Sequence, residues 1–186
     1  MTADWLRPLY REIKTTVMDG GYVQIDETPV RYLEPGNGKT KQGYLWAVNC
    51  PRCAHRSASA IFFEWHASRA ASCLEAIVPA GWGGKLQCDG RVEIDNNLVE
   101  NGIRPTAHGK KNYLFFGEVE AGETSAILYT VIENARRRGL DPQACLRDIP
   151  TRLPETKQSE IASITPAAWA KAQKAAAVSA IVRVSA

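Results

Sequence analysis

The chain has 186 residues, of which 45% are hydrophobic, 23% charged and 8% aromatic, the proportions of a soluble globular domain. That length holds one domain with an appended helical tail and excludes two complete enzymatic domains. The 23 Lys and Arg outweigh the 20 Asp and Glu by a formal charge of +3, too little to announce a nucleic-acid partner by itself, and neither a membrane-spanning apolar run nor a secretory leader is present, so the expected location is the cytoplasm.

Trp5, Leu9, Ile13 and Val17 recur every four residues and predict a short helix, a lid on the core, that ends at Asp19-Gly20-Gly21. From Tyr22 the pattern alternates: Val23 and Ile25 stand between Gln24 and Asp26, and Val30, Tyr32 and Leu33 continue the strand to a turn at Glu34 to Gly38. Gly43 to Val48 and Ile61 to Trp65 read as the second and third strands of an antiparallel meander, joined by a loop from Cys50 to Ser59. Ser68 to Val78 reads as a helix closed by Pro79, and Lys85 to Asp89 as a fourth strand. Asp95-Asn96-Asn97 supplies caps for a short helix stopped by Pro105. Gly122 to Arg138 is the clearest helix, with Ile127, Leu128, Val131, Ile132 and Ala135 as its stripe and Arg136 to Arg138 complementing its dipole. Asp141-Pro142 caps another helix through Ile149, and beyond Pro150 the composition thins before an alanine-rich final helix near Thr165-Pro166, which reads as a tail.

A meander, a helix and a fourth strand form the first half of a ribonuclease H-like core, with one acid on strand one and another at the end of strand four. Asp26 and Asp89 occupy those places, and Glu100, on the short helix after Asn97, is the natural third carboxylate. The chemistry needs them because two divalent cations about 3.5–4 Å apart require hard oxygen ligands, one to activate a water or a 3′-hydroxyl and one to stabilise the leaving oxygen. Spacing alone leaves the bland alternative open, since most of the 20 carboxylates would be solvated surface.

A resemblance adds to this. Gln24-Ile25-Asp26-Glu27-Thr28-Pro29-Val30, then Gly36-Asn37-Gly38-Lys39-Thr40 and Gly43-Tyr44-Leu45-Trp46, resemble the start of the catalytic region of the insertion-sequence sixty-six family of bacterial transposases. Gly84 to Gly90, Asp95 to Glu100, Ile103-Arg104-Pro105, Lys111 to Phe115, Gly122 to Ala135, Gly139 to Pro142 and Thr151 to Pro154 follow in that family's order. The resemblance implies an α/β fold, with an incomplete ribonuclease H-like mixed sheet followed by a helical C-terminal part. It implies metal-dependent DNA strand cleavage and transfer, with Asp26, Asp89 and Glu100 as both catalytic residues and ligands of Mg2+ or Mn2+. It also implies DNA as partner, both element ends and target, together with other transposase subunits. The expected organisation is an N-terminal helix over 1–21, the catalytic region over 22–149 and a C-terminal tail over 150–186. Family members carry further N-terminal segments, including DNA-binding parts, so recognition of element ends is expected to come from elsewhere.

Ten residues, 90–99, separate Asp89 from Glu100, where the fold requires a helix and a fifth strand and an average helix alone takes about 11 residues. Gly90-Arg91-Val92-Glu93 therefore reads as the junction of an internal deletion, shortening the region between 90 and 94. Asn101-Gly102 stands where the family pattern has a basic residue, and a glycine inside a helix costs about 1 kcal/mol relative to alanine. The expectation is a truncated, inactive copy; the alternative is a non-catalytic remnant that binds DNA or an intact transposase subunit. Arg104, Lys110 and Lys111, followed by Tyr113, Phe115 and Phe116, are the candidate nucleic-acid contacts.

Five cysteines, Cys50, Cys53, Cys73, Cys88 and Cys145, are an odd set expected to be reduced thiols. Cys50-Pro51-Arg52-Cys53 has the spacing of a zinc half-site with His55 nearby but lacks a second pair, and Cys88 has no partner at a nucleophile's spacing. Gly36 to Thr40 lacks the first glycine of a phosphate loop and reads as a hairpin turn, and Trp82 reads as a loop anchor rather than a base-stacking platform.

Overall fold

The computed structural model describes residues 3–34, 36, 38–53, 59–88, 102–104 and 115–184. A 3-10 turn, Ala3–Leu6, leads into helix α1, Arg7–Met18, whose Leu9, Ile13, Val17 and Met18 are buried. The four-residue stripe does not extend back to Trp5: that side chain is 40% exposed, and Leu6 is buried in its stead. A 3-10 turn advances three residues per turn rather than 3.6, so the rotation that aligns Leu9 with Ile13 does not carry over to Trp5.

Strands β1 (Tyr22–Leu33), β2 (Thr40–Cys50) and β3 (Ala60–His66) form the antiparallel meander, with Asp26 opposite Ala47 and Ala47 opposite Phe63. Helix α2, Ala71–Ile77, is shorter than the expected span. The Ser68 hydroxyl accepts a hydrogen bond from the Ala70 N–H at 3.1 Å, which holds residues 68–70 in a turn outside the helix. Strand β4, Lys85–Cys88, then pairs in parallel with residues 22–25 of β1. A two-residue strand, β5 (Phe115–Phe116), pairs in parallel with Arg31 and Tyr32 further along β1. The result is one mixed five-stranded sheet in the order β3-β2-β1-β4, with β5 beside β1. Pro29 falls between the stretches of β1 paired by β4 and by β5, where the ladder on that side requires no donor from it.

Successive residues of a strand face opposite sides of the sheet, so each face collects its own core. One layer joins Val23, Ile25, Trp46, Val48 and Phe62 to Leu9, Ile13 and Val17 of α1 and to Ile77 of α2. The other joins Val30, Tyr32, Leu45, Ala47, Ile61, Phe63 and Trp65 to Phe116 and Ala126. Helix α3, Val119–Arg136, lies along β3 and contributes to both layers, Ile127, Val131 and Ala135 to the first and Ala126 to the second. Its buried polar residues bond to the strand: the Phe63 N–H donates to Thr130 Oγ1 at 2.9 Å, and Asn134 Nδ2 donates to the Ile61 carbonyl at 2.6 Å. These side chains satisfy backbone groups of a sheet edge that would otherwise be open to pairing with another chain.

Trp65 meets the rings of Tyr32 and Phe116 edge-on, with centroids 5.9 and 5.3 Å away. A Cβ on Gly122 would stand 2.3 Å from its ring and one on Gly43 2.4 Å, so both positions require glycine for the indole to fit.

Helix α4, Pro142–Arg152, is capped by Asp141, whose Oδ1 accepts from the Gln143 N–H at 3.0 Å. It continues through Pro150, where the sequence suggested a stop. A proline in the last turn removes one helical hydrogen bond, and there the Thr151 hydroxyl donates to the Arg147 carbonyl at 2.8 Å. The segment expected to be a tail joins the core. Ile161 and Ile164, three apart in the 3-10 stretch Gln158–Ile164, fall on one side and pack with Ala170 into the layer beside α1. Helix α5, Pro166–Val184, follows from there.

Candidate active site

Asp26 follows Ile25, the last residue of β1 that pairs with β4 among the described residues. Its half-buried carboxylate accepts the Glu27 N–H at 2.8 Å. Glu27 faces the opposite side of the sheet and pairs with Arg69 Nε at 2.5 Å. The neighbouring acids are thereby separated: Glu27 is neutralised by an arginine on one face, while Asp26 shares the other with Gln24, Ala47 and Phe63.

The parallel register pairs Gln24 with Gln87 and Ile25 with Cys88. The described ladder ends at Ile25 opposite Cys88, each the residue before an aspartate of the expected set. Asp89, Glu100, Lys110 and Lys111 themselves lie outside the described residues. Of the segment after Glu100, Gly102 and Ile103 are buried and Arg104 is exposed. Ile103 packs into the layer of Val30, Ala47 and Phe63, the face that carries Asp26. A Cβ on Gly102 would approach Ile61 Cδ1 to 2.6 Å and Arg137 Nη2 to 2.8 Å. The glycine that weakens a helix in isolation is what permits this close approach.

A polar chain, buried at Gln24 and Asn49 and half-buried at its ends, crosses the same face. The Tyr22 hydroxyl donates to Gln87 Oε1, and Gln24 Nε2 donates to the same oxygen at 3.4 Å. Asn49 Nδ2 donates to Gln24 Oε1 at 3.0 Å, and Arg137 Nη1 donates to Asn49 Oδ1 at 2.5 Å. Arg137 Nε closes the chain on Glu133 at 3.2 Å. Burial pushes the Glu133 carboxyl up and the Arg137 guanidinium down despite their pairing, the signature of an ion pair whose desolvation outweighs its attraction.

The discounted motifs resolve locally. Cys50 and Cys53 are buried in the core, and the hydrogen bond between their thiols favours the Cys50 thiolate and holds the Cys53 thiol up. His55 lies outside the described residues. Burial, then the charge of Glu27, pushes the Cys88 thiol up, the opposite of an activated nucleophile. Gly36 and Gly38 adopt φ of 80° and 59° in the turn that joins β1 to β2, and Trp82 Nε1 donates to the Met18 carbonyl at 2.8 Å, anchoring its loop. Among the described residues no group of three His, Cys, Asp or Glu could hold a metal ion, and two of the three acids expected to do so fall outside them.

The model of the family described as "Transposase IS66 family" matches residues 1–90 and 88–124, well over half of the chain. The chain belongs to the IS66 transposase family. This IS66 chain is 37% identical over 83 residues to the uncharacterized protein y4jD of Sinorhizobium fredii, and 39% identical over 79 residues to y4qI of the same organism. Those matches cover 44% and 42% of the IS66 chain but only 16% and 15% of the two relatives. No solved structure matches it. None of its described helices is long and apolar enough to cross a membrane.

Sequence reasoning about this IS66 chain singled out the acids and missed the amides beside them. Gln24, Asn49 and Gln87 carry no catalytic motif, and Arg137 read as one of three cations at a helix end. The available signal was polarity at inward positions of the strands, since Gln24 and Asn49 alternate in phase with buried apolar residues.

Proposed function

We propose that this chain is the catalytic region of an IS66 transposase with a ribonuclease H-like fold, in which Asp26, Asp89 and Glu100 hold Mg2+ or Mn2+ for DNA strand cleavage and transfer. We propose further that its shortened link leaves it catalytically impaired. The observation that carries the reading is the in-phase parallel pairing of Gln24 with Gln87 and Ile25 with Cys88. Continued by one residue, that ladder would set Asp26 beside Asp89 on one face, and Ile103 packs the described residues after Glu100 onto that face. The donor set is entirely carboxylate, the chemistry a hard divalent cation requires. Bound metal supplies Lewis-acid activation of the attacking oxygen and charge stabilisation at the leaving oxygen. The chain's own residues orient the acids, and Arg104, Lys110 and Lys111 neutralise the DNA backbone.

The deletion finds support in the family match, which falls in two pieces that meet at residues 88–90.

A Mn2+ titration of the purified chain tests the acid set. Asp26→Asn and Glu100→Gln are each expected to weaken binding by about tenfold or more, with unchanged thermal unfolding in the absence of metal. Equal affinity in all three proteins would overturn the reading and leave the non-catalytic remnant. The exposure of Arg104 beside buried Ile103 favours DNA contact in either case. Duplex DNA is expected to bind without sequence preference, with an affinity that falls with salt. Replacing Lys110 and Lys111 by alanine is expected to reduce the slope of log affinity against log salt by roughly one to two units. An unchanged slope would remove both lysines from the interface.

A further inference from the structure

We infer that Arg137 is a positioning residue, which fastens the segment that follows Glu100 to the sheet face that carries Asp26. The inference rests on the acid set proposed above and adds a group outside it. Arg137 closes helix α3, where its charge could complement the helix dipole from solvent, as the exposed neighbour Arg136 is placed to do. Its side chain turns inward instead and is only 11% exposed.

There the planar guanidinium is used on several sides. Nε donates to Glu133, and Nη1 donates to Asn49 Oδ1 at 2.5 Å and to Ser59 Oγ at 3.3 Å. Nη2 is the atom that a Cβ on Gly102 would meet at 2.8 Å, so it lies against the backbone two residues beyond Glu100. The amide chain from Asn49 through Gln24 to Gln87 continues from the same guanidinium and ends two residues before each aspartate. One rigid fork thus touches the segment after the third acid and the polar chain that includes Gln24 and Gln87, two residues before each aspartate in sequence. A lysine has the charge without the fork and could not serve these partners together.

The test uses the full chain and two readouts, amide hydrogen exchange and Mn2+ affinity. Arg137→Met combined with Glu133→Gln removes both charges and leaves no unpaired carboxylate buried. Arg137→Lys keeps the charge and serves as the second variant should the double substitution fail to fold. Each is expected to speed exchange at the Ile103 and Arg104 amides by about tenfold or more, while exchange at Phe63, bonded to Thr130, stays as in the parent. Each is also expected to weaken Mn2+ binding by roughly 10–100-fold, as loss of a supporting contact to a metal ligand does. Adding Glu100→Gln to either should weaken it no further, because the same acid has already been displaced.

Exchange at 103 and 104 that changes no more than at Phe63 would overturn the inference, as would Mn2+ losses that add in full. Should Asp26→Asn and Glu100→Gln alone leave Mn2+ affinity unchanged while exchange at 103 and 104 rises, the acid set itself has failed. Arg137 is then only a packing residue, and its positioning role is overturned by a distinguishable result.

Discussion

Incubated with magnesium and the DNA ends of its parent element, the purified chain is expected to give no nicked or strand-transferred product. The reason is geometric. Ten residues, 90–99, link Asp89 to Glu100, fewer than an average helix of about 11 residues and far fewer than a helix, a strand and their connection. Ile103 packs the described residues after Glu100 onto the face that carries Asp26. Catalysis asks for more: acids held within about 0.5 Å of the productive arrangement, where a misplacement of about 1 Å costs on the order of 100-fold in rate. Metal affinity is more forgiving than rate, so weak Mn2+ binding and absent cleavage belong together in this reading. Robust cleavage, abolished by Asp26→Asn and by Glu100→Gln, would show that the short link still assembles the three carboxylates and would sink the proposed impairment.

Trp65→Ala is expected to have the largest effect on stability, about 3–5 kcal/mol as for large aromatic truncations in well-packed cores. Trp65 is 7% exposed, lies edge-on to Tyr32 and Phe116, and fills the space left by the missing side chains of Gly43 and Gly122. Its neighbours come from β1, β2, β5 and α3, so the cavity has no single mobile side to collapse. Set against a typical total of about 5–15 kcal/mol, such a loss lowers the unfolding temperature by roughly 6–20 °C in a protein of this size. Thermal unfolding followed by circular dichroism checks it. A shift of less than about 2 °C would mean that the layer repacks and that Trp65 is not its keystone.

Much of the architecture was legible in local pattern. The alternation at Val23, Ile25, Val30 and Tyr32, the meander through Tyr44 and Phe62, and the cap at Asp141 each depend on residues a few positions apart. Their outcome agrees with the structure in β1, β2, β3 and α4. β5 was not legible, because two residues offer no period to detect. Of the candidate site, Asp26 stands on β1 as expected, while Asp89 and Glu100 lie outside the described residues.

The sequence by itself determined the family and the order of the elements apart from β5, and it singled out the acids to test, since these reside in letters and short-range periodicity. Only the tertiary structure decided that Leu6 rather than Trp5 is buried, that Ile161 and Ile164 belong to the core, and that Thr130 and Asn134 are inward-facing. It also decided that Arg137 leaves the helix end to bind Asn49, a residue 88 positions away. The apolar residues are buried by packing partners far away in the chain, and for the polar ones the reason is sharper. A buried polar group is tolerable only when a partner satisfies it, and that partner is brought by the fold from a distant part of the chain, where no local pattern can announce it.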